Sequence, residues 1–190
     1  KGAQTTRMAA MERMLAVLPD SAAIIATTGF TGRELFTLED REQHLYQVGS
    51  MGCAAPMGLG VALNTDKRVV VIDGDGAAMM KLGALATVGA YAPNNLLHIV
   101  MDNAAYESTG GQPTVSASVD FAGVAAACGY KEAFTCDSLN GLEKIISETV
   151  SRPGPHLVHM VIKAGHPDTL GRPTIKPPEV ARRFKDFITS

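Results

Sequence analysis

The sequence predicts an α/β fold, a doubly wound and mostly parallel sheet with helices on both faces. Apolar runs of strand length alternate with helix-length segments along the chain, which is the order that parallel βαβ units require. One of these runs, residues 69–72, is apolar without interruption, as expected for a strand covered on both faces. With 190 residues, 46% of them apolar, the chain is long enough to bury the core of one domain.

The elements of the first half follow from residue spacing. Methionine and leucine recur at helical spacing before a Pro-Asp pair, which predicts a helix over residues 5–18. Residues 22–27 form a short apolar run and are interpreted as a buried strand. A glycine-rich turn follows, and Thr31 is the expected N-cap of a helix that ends at residue 38. The next elements are a strand at 45–48, a helix of small residues at 54–63 and a strand at 67–73.

The second half continues the alternation, and its boundaries are set by turn residues. One proline and two asparagines at 93–95 end one helix, and the proline pair at 177–178 precedes the last one. Gly129 is the expected C-cap of a helix. The predicted elements are helix 77–91, strand 96–102, helix 121–128, strand 130–134, helix 139–150, strand 156–162 and helix 179–188.

Composition excludes several classes of protein. The net charge of -2 and the absence of a basic cluster argue against nucleic-acid binding. No apolar run approaches the ~18 residues of a membrane span, and no signal peptide is visible. Cys53, Cys128 and Cys136 are odd in number and lack metal-ligand spacing, so we expect free thiols in the cytoplasm. Because the first residue is Lys1, we expect a trimmed chain or a domain of a longer protein.

A carboxylate and an amide oxygen follow two neighbouring strands of the predicted sheet. Asp75 lies between Gly74 and Gly76 directly after the strand at 67–73, and Asn103 follows the next strand. Ligands of such sheets bind beyond the carboxyl ends of the strands. Hard oxygen ligands suit Mg²⁺ or Ca²⁺, and the glycines let an anion approach the backbone closely. The spacing predicts a metal-bridged diphosphate; the alternative is a turn and a capping Asn without a metal.

With a strand before it and a helix after it, this motif resembles that of the diphosphate-binding domain of thiamine-diphosphate-dependent enzymes. The resemblance implies that Asp75, the Asn103 side chain and the Ala105 carbonyl hold Mg²⁺ together with diphosphate oxygens. Ala77 stands where the family often has a hydroxyl residue, so backbone N–H groups of Gly76 and Ala77 would hold the phosphate. Other cofactor contacts that the resemblance implies are Thr28, Gly29, Gly74, Tyr106 and Ser108; for Thr28 and Gly29 the alternative is a simple turn.

A second match to the family is the loop of Gly49, Ser50, Met51 and Gly52. In the family a large aliphatic residue in this loop lies beneath the cofactor and forces it into a V shape. The resemblance therefore assigns Met51 to catalysis as well as to cofactor binding. It also implies that the Gly49 carbonyl and the Met51 N–H bond to the pyrimidine, with Ser50 in the same cofactor-binding loop. A core methionine and a helix-entry turn are the alternatives.

The segment after the metal ligands carries polar groups that should lie over the diphosphate and the reacting carbon. Ser108 and Thr109 offer hydroxyls, and Gln112 an amide, to an anionic substrate. Thr109 and Gln112 are therefore predicted to act in catalysis. The alternative for each is a solvated loop residue.

Within the family the closest resemblance is to the phosphonopyruvate decarboxylases, and the sulfopyruvate decarboxylases come next. It spans most of residues 20–135 and includes TGFTGREL at 28–35 and STGGQ at 108–112. It implies a carboxy-lyase acting on a small anionic 2-keto acid, with phosphonoacetaldehyde as the favoured product. Arg33 could pair with a phosphonate or sulfonate through its guanidinium, or could be an exposed helix residue.

The sequence lacks one group that thiamine catalysis requires. In the family a glutamate from a separate pyrimidine-binding domain activates the cofactor, and residues 1–190 form a single domain without it. The resemblance therefore implies half of an active site and a homo- or hetero-oligomer that supplies the rest. Two alternatives are a non-catalytic thiamine-diphosphate-binding subunit and a Rossmann-like nucleotide-binding protein. The turn at 28–32 lacks the Gly-x-Gly-x-x-Gly pattern that would favour the latter.

Overall fold

The structure, a computed structural model, describes residues 3–190 and contains one main sheet and one small pair of strands. The strands in chain order are β1 (Ala23–Ala26), β2 (His44–Tyr46), β3 (Val69–Gly74), β4 (Leu96–Asp102), β5 (Ala105–Tyr106), β6 (Gln112–Pro113), β7 (Glu132–Cys136) and β8 (His156–Val161). The main sheet has the order β2-β1-β3-β4-β8-β7, and all its neighbours are parallel. The short strands β5 and β6 pair antiparallel with each other.

Eight α-helices accompany the strands in the described part of the chain. They are α1 (Arg7–Val17), α2 (Phe30–Leu38), α3 (Ala54–Ala62), α4 (Asp75–Met80), α5 (Ala84–Tyr91), α6 (Phe121–Ala127), α7 (Leu139–Thr149) and α8 (Pro177–Thr189). The predicted fold class, a doubly wound parallel sheet with helices on both faces, is confirmed.

Alternate residues of each strand bury their side chains on opposite faces of the sheet. On one face, Val70 of β3 and Ile99 of β4 belong to a cluster that includes Met11 of α1 and Ile146 of α7. On the other face, the cluster contains the apolar residues Val71, Val100, Leu59, Val88 and Phe121, from β3, β4, α3, α5 and α6. The continuous apolar run of β3 is thus explained, because both of its faces are covered.

The predicted helix at 77–91 is two helices. It ends at Met80, turns through Lys81 and Gly83, and resumes at Ala84. A Cβ atom at Gly52 would lie 2.7 Å from Cγ of Lys81, so the turn brings the Lys81 side chain against the loop that precedes α3. Tertiary packing therefore overrides the helical pattern of this segment.

Two other predictions need correction. The helix expected to begin after Thr31 begins at Phe30, with Gly29 as its N-cap and Thr31 buried inside it. Residues 105–113, for which the sequence predicts no helix or strand, contain the β5–β6 pair and a short 3₁₀ turn. The three cysteines carry free thiols, as expected.

Small residues let α5 and α6 approach closely. A Cβ atom at Gly89 of α5 would lie only 1.8 Å from the carbonyl oxygen of Cys128, so any side chain there would force the helices apart. Gly129 follows in the left-handed region with φ 99°, which ends α6 as predicted. Among residues 3–190, no helix is both long and apolar enough to cross a bilayer.

The last helix is fastened to the edge of the sheet by a charged pair. Arg183 of α8 donates to both carboxylate oxygens of Asp40, at 3.0 and 2.7 Å, and Tyr46 of β2 donates to the same carboxylate at 2.8 Å. These donors hold the pKa of Asp40 below its usual value, with the Arg183 bonds as the main cause. Arg183 thereby links α8 to the segment that precedes β2.

His44 is expected to make the fold labile to acid. It is fully buried in β2, and neither ring nitrogen has a hydrogen-bond partner. Burial lowers the pKa of His44 to about 4. Between pH 6.5 and pH 4 the unfolded chain therefore binds a proton that the folded chain does not, and stability falls as the pH falls. This loss is about 2 kcal/mol between pH 7.5 and pH 5.

Urea denaturation of the wild type and of His44→Leu at several pH values measures this effect. The variant should lose less stability on acidification, because leucine binds no proton in either state. Parallel pH profiles of the two proteins over this range would contradict the assignment to His44.

Candidate functional site

The topology opens one crevice at the carboxyl ends of β1 and β3. The chain runs from β1 outward to β2, then returns to β3 and continues to the other side of the sheet. This change of direction is the switch point at which doubly wound sheets bind ligands. The crevice is lined by Thr27 and Thr28 after β1, by residues 74–77 after β3 and by residues from the segment 103–108 after β4, with Arg7, Phe30, Thr31, Met51 and Met101 completing it.

Asp75 presents a buried carboxylate at this crevice. It is 2% exposed, and Thr114 Oγ1 donates to its Oδ2 at 2.5 Å. Burial raises the pKa of Asp75 above its ordinary value, with the nearby carboxylate of Asp102 adding to the shift. No basic side chain in the described part of the chain forms an ion pair with Asp75. A buried carboxylate without a cationic partner is costly, which suits a site for a cation.

The loop that carries Asn103 is held by two short side-chain bonds. Asp102 Oδ1 accepts from the N–H of Ala104 at 2.9 Å, and Asn103 Oδ1 accepts from the N–H of Ala105 at 3.1 Å. Ala104 adopts a positive φ of 57°, a conformation that non-glycine residues rarely adopt. His159 Nε2 lies 2.9 Å from Asp102 Oδ2 and fixes that carboxylate from below.

Thr114 links the two halves of the predicted metal site. Its hydroxyl donates to Asp75, and its N–H donates to the carbonyl of Ala104 at 2.9 Å. The end of β3 and the loop after β4 are thereby tied to the same residue. Nothing in the sequence marks Thr114, because its role depends on the β5–β6 pair that brings the chain back to the crevice.

The charge balance of the crevice is negative. Arg7 is the one basic residue among the described lining residues, whereas Asp75 and Glu107 are acidic. The guanidinium of Arg7 is already engaged, because Nη1 donates to Glu34 at 2.8 Å and Nη2 donates to Glu107. A diphosphate placed here would meet no free basic side chain. Its charge would have to be met by a metal ion and backbone N–H groups.

The residues present fit a divalent cation that shares its ligands with a diphosphate. Within residues 3–190 no three His, Cys, Asp or Glu side chains form a metal cluster of their own. Asp75, Asn103 and the backbone of Ala105 all line the crevice and offer hard oxygen ligands. Mg²⁺ is typically bound by one or two carboxylates and phosphate oxygens in this way.

Close packing shapes the crevice floor next to these ligands. A Cβ atom at Gly76 would lie 2.2 Å from Cε1 of Tyr106, so the aromatic ring lies directly on the Gly76 backbone. Only glycine permits this contact. The predicted cofactor contacts Thr28, Gly74, Ala77 and Ser108 line the same crevice.

The loop of residues 49–52 reaches the crevice through one side chain. Met51 lines the crevice, whereas Gly49 and Ser50 lie outside its lining. The Thr28 hydroxyl accepts from the N–H of Gly49 at 3.2 Å, and Gln47 donates to the Ser50 carbonyl at 2.8 Å. Ser50 has a positive φ of 49°. The loop is thus held in an unusual conformation that turns Met51 inward.

The structure separates other predicted site residues from the crevice. Thr109 and Gln112 are exposed and bond to each other, with Gln112 Nε2 donating to the Thr109 carbonyl at 3.1 Å. Gly29 lines a neighbouring cavity rather than the crevice. The predicted catalytic roles of Thr109 and Gln112 therefore remain predictions. To contact a substrate bound in the crevice, the two side chains would need the segment 105–113 to move, or a second protein surface to cover them.

Sequence reasoning missed the ion triad of Arg7, Glu34 and Glu107. The three side chains are almost fully buried, and they join α1, α2 and the 3₁₀ turn that follows β5. Burial raises the pKa of Glu34, although Arg7 opposes that shift. Such a triad leaves no sequence signal, because its members lie 27 and 100 positions apart.

Comparisons with known proteins agree with this geometry. Residues 25–160 match the family model "Thiamine pyrophosphate enzyme, C-terminal TPP binding domain". The chain is 55% identical to a phosphonopyruvate decarboxylase of Streptomyces viridochromogenes over 99% of this chain and 47% of that protein. It is 39% identical to the sulfopyruvate decarboxylase subunit beta of Methanothermobacter thermautotrophicus over 85% of this chain and 84% of that subunit.

A solved structure supports the fold. The X-ray structure of a proposed thiamin diphosphate-dependent enzyme from Mycobacterium smegmatis superposes with a TM-score of 0.72 at 24% identity, covering 85% of this chain and 32% of that one. The chain spans about half the length of the phosphonopyruvate decarboxylases that it matches.

Proposed function

We propose a decarboxylase function from one premise: the chain belongs to the thiamine pyrophosphate enzymes and contains their C-terminal TPP-binding domain. In this proposal the chain is the diphosphate-binding half of an enzyme that converts phosphonopyruvate to phosphonoacetaldehyde and CO2, with Mg²⁺ as the metal. The observation that carries the substrate is the 55% identity to a phosphonopyruvate decarboxylase along nearly the whole chain. The negative crevice with Asp75 and Asn103 supports the metal-held cofactor.

The residues of this chain bind and orient the cofactor. Asp75, the Asn103 side chain and the Ala105 carbonyl would hold Mg²⁺, and the N–H groups of Gly76 and Ala77 would bind the diphosphate. When bound, thiamine diphosphate supplies an electron sink for the electrons left behind by CO2. Met51 would support the cofactor from below. The arrangement of Thr114 and Asp102 holds these groups in place before the cofactor binds.

A separate pyrimidine-binding domain would complete the site. The described residues form one main sheet with its helices and one short strand pair, without a second large sheet that could serve as such a domain. We propose that this domain supplies the activating glutamate, from another subunit or from another part of the same polypeptide. The assembled enzyme would then be a homo- or hetero-oligomer.

Sulfopyruvate decarboxylation is the second candidate. The chain is 39% identical to a sulfopyruvate decarboxylase beta subunit along 84% of that subunit, and this likeness supports sulfopyruvate as an alternative substrate. Sequence identity favours phosphonopyruvate as the substrate, because it is 55% to a phosphonopyruvate decarboxylase and 39% to the sulfopyruvate decarboxylase subunit. A non-catalytic subunit that only binds thiamine diphosphate is a third candidate.

A decarboxylation assay with both keto acids decides between these candidates. The chain is combined with the polypeptide that carries the pyrimidine-binding domain, together with Mg²⁺ and thiamine diphosphate, and both CO2 and aldehyde are measured. We expect kcat/KM to be at least ~10-fold higher for phosphonopyruvate than for sulfopyruvate, a difference of about 1.4 kcal/mol in transition-state stabilisation. The reverse preference would favour the second candidate, and no turnover of either substrate would favour the third.

A further inference from the structure

A second cavity adjoins the crevice and has not been assigned a role. It has a volume of about 400 Å³ and lies among the ends of β1 and β2, helix α2 and the segment 172–180 that leads into α8. Thr28, Phe30 and Ser108 line both the cavity and the crevice, so the two spaces are contiguous. A ligand that extends from the crevice past Ser108 would enter this cavity.

The charge of the cavity is opposite to that of the crevice. Arg33 and Arg172 line the cavity, and no Asp or Glu is among its described lining residues. The crevice, by contrast, contains Asp75 and Glu107, with Arg7 as its one basic residue. In a chain with a net charge of -2, two guanidinium groups that face a common space without a carboxylate form an unusual local excess of positive charge.

The two arginines differ in what they already bind. Arg33 donates from Nε to the carbonyl of Gly171 at 2.9 Å and from Nη2 to the carbonyl of Leu170, and its guanidinium lies 5.5 Å from the centre of the Phe30 ring. It therefore fastens the backbone just before Arg172 to helix α2. Arg172 itself has no hydrogen bond or ion pair to any residue that the structure describes, and it is exposed to the cavity.

Hydroxyl groups at the junction of the two spaces can add to anion binding. Ser108 has no hydrogen bond from its hydroxyl within the described residues. The Thr28 hydroxyl accepts from Gly49 and so retains its own proton to donate. A tetrahedral anion held by a guanidinium and two hydroxyls would be bound by charge-assisted hydrogen bonds.

We propose that this cavity is the subsite for the phosphonate or sulfonate group of the substrate. Arg172 binds this anion, and Arg33 positions Arg172. The proposal rests on the proposed decarboxylase function and names the part of the site that selects the substrate. The cavity holds the tetrahedral anion away from Asp75 and Glu107, which would repel it in the crevice. It also gives the site a way to reject keto acids that lack this second anion.

Substitution of Arg172 in the assembled enzyme tests the subsite. Arg172→Gln should raise KM for phosphonopyruvate ~10- to 100-fold, as expected for the loss of charge-assisted hydrogen bonds, and should leave the Kd of thiamine diphosphate unchanged. Arg172→Lys keeps the positive charge and should raise KM for phosphonopyruvate less than Arg172→Gln does. Arg33→Lys should raise KM with little change in kcat, because lysine cannot hold two carbonyls in a fork. Arg182→Gln, on the exposed side of α8, is the matched control and should change nothing.

A binding measurement separates this proposal from the proposed function. Methylphosphonate carries the tetrahedral anion without the keto acid, and its binding is followed by calorimetry in the absence of turnover. The wild type should bind it at least ~10-fold more tightly than Arg172→Gln. If both proteins bind it equally, or if the variant keeps KM for phosphonopyruvate within twofold, the subsite is wrong even where decarboxylation stands. If neither keto acid is decarboxylated but Arg172-dependent methylphosphonate binding persists, the function fails and the anion site stands.

Discussion

Replacing Asp75 by asparagine is expected to weaken Mg²⁺-dependent thiamine diphosphate binding at least ~100-fold, about 2.7 kcal/mol. The carboxylate is the one charged metal ligand proposed in the crevice, and Glu107, the other acidic residue of the described lining, is already paired with Arg7. Without this charge, a metal would have only neutral protein oxygens to bind. Calorimetric titration of the assembled enzyme with thiamine diphosphate, with and without Mg²⁺, measures the loss.

The metal-free protein provides the decisive control for Asp75→Asn. Burial raises the pKa of Asp75, so the ionised carboxylate opposes folding at neutral pH when no cation is bound. The asparagine can still accept the Thr114 hydroxyl bond, and the metal-free variant should therefore be at least as stable as the wild type. Asp120→Asn, at the N-cap of α6, is a matched substitution that should leave cofactor binding unchanged. Unchanged affinity in Asp75→Asn would remove Asp75 from the metal site.

Arg7→Met is expected to destabilise the fold by about 3–5 kcal/mol, because it leaves two buried carboxylates without their cation. Glu34 and Glu107 face the same guanidinium, and their side chains are 1% and 12% exposed. Without Arg7 the two carboxylates would repel each other in a poorly solvated space. Urea denaturation at pH 7.5 measures the loss of stability.

A charge-matched variant and a pH series identify the cause. Arg7→Met combined with Glu34→Gln and Glu107→Gln should recover much of the stability, because no unpaired charge remains. The single variant should regain stability as the pH falls towards 5, since burial raises the pKa of Glu34 and its protonation relieves the repulsion. A loss below 1 kcal/mol, or a loss that the triple substitution does not reduce, would show that the triad is not an important support of the fold.

The fold and the metal-binding end of the site follow from local sequence. The apolar runs of β3 and β4 identify buried parallel strands, and strand ends in such sheets converge on one edge. Asp75 and Asn103 each follow one of these strands directly, so a pattern of short range is enough to bring them together. Met51 reaches the same crevice because its loop joins β2 to α3, as the resemblance implied.

The remaining parts depend on contacts between residues far apart in the chain. The break between α4 and α5 coincides with the packing of Lys81 over Gly52, a tertiary contact that helix propensity does not report. Thr114 reaches Asp75 through the β5–β6 pair, and Arg7 reaches Glu107 across the domain. Arg33 was considered for direct anion binding, but its guanidinium donates to backbone carbonyls of the segment before Arg172.

Two arginines near the site, Arg7 and Arg172, lie outside the residues that match the family model. The match to the family model covers residues 25–160 and includes every proposed metal ligand, whereas Arg7 precedes it and Arg172 follows it. The proposed metal ligands and the proposed anion-binding residue Arg172 are thus encoded in different stretches of the gene. Changes in the segment around Arg172 could alter substrate preference during evolution without passing through forms that have lost the cofactor.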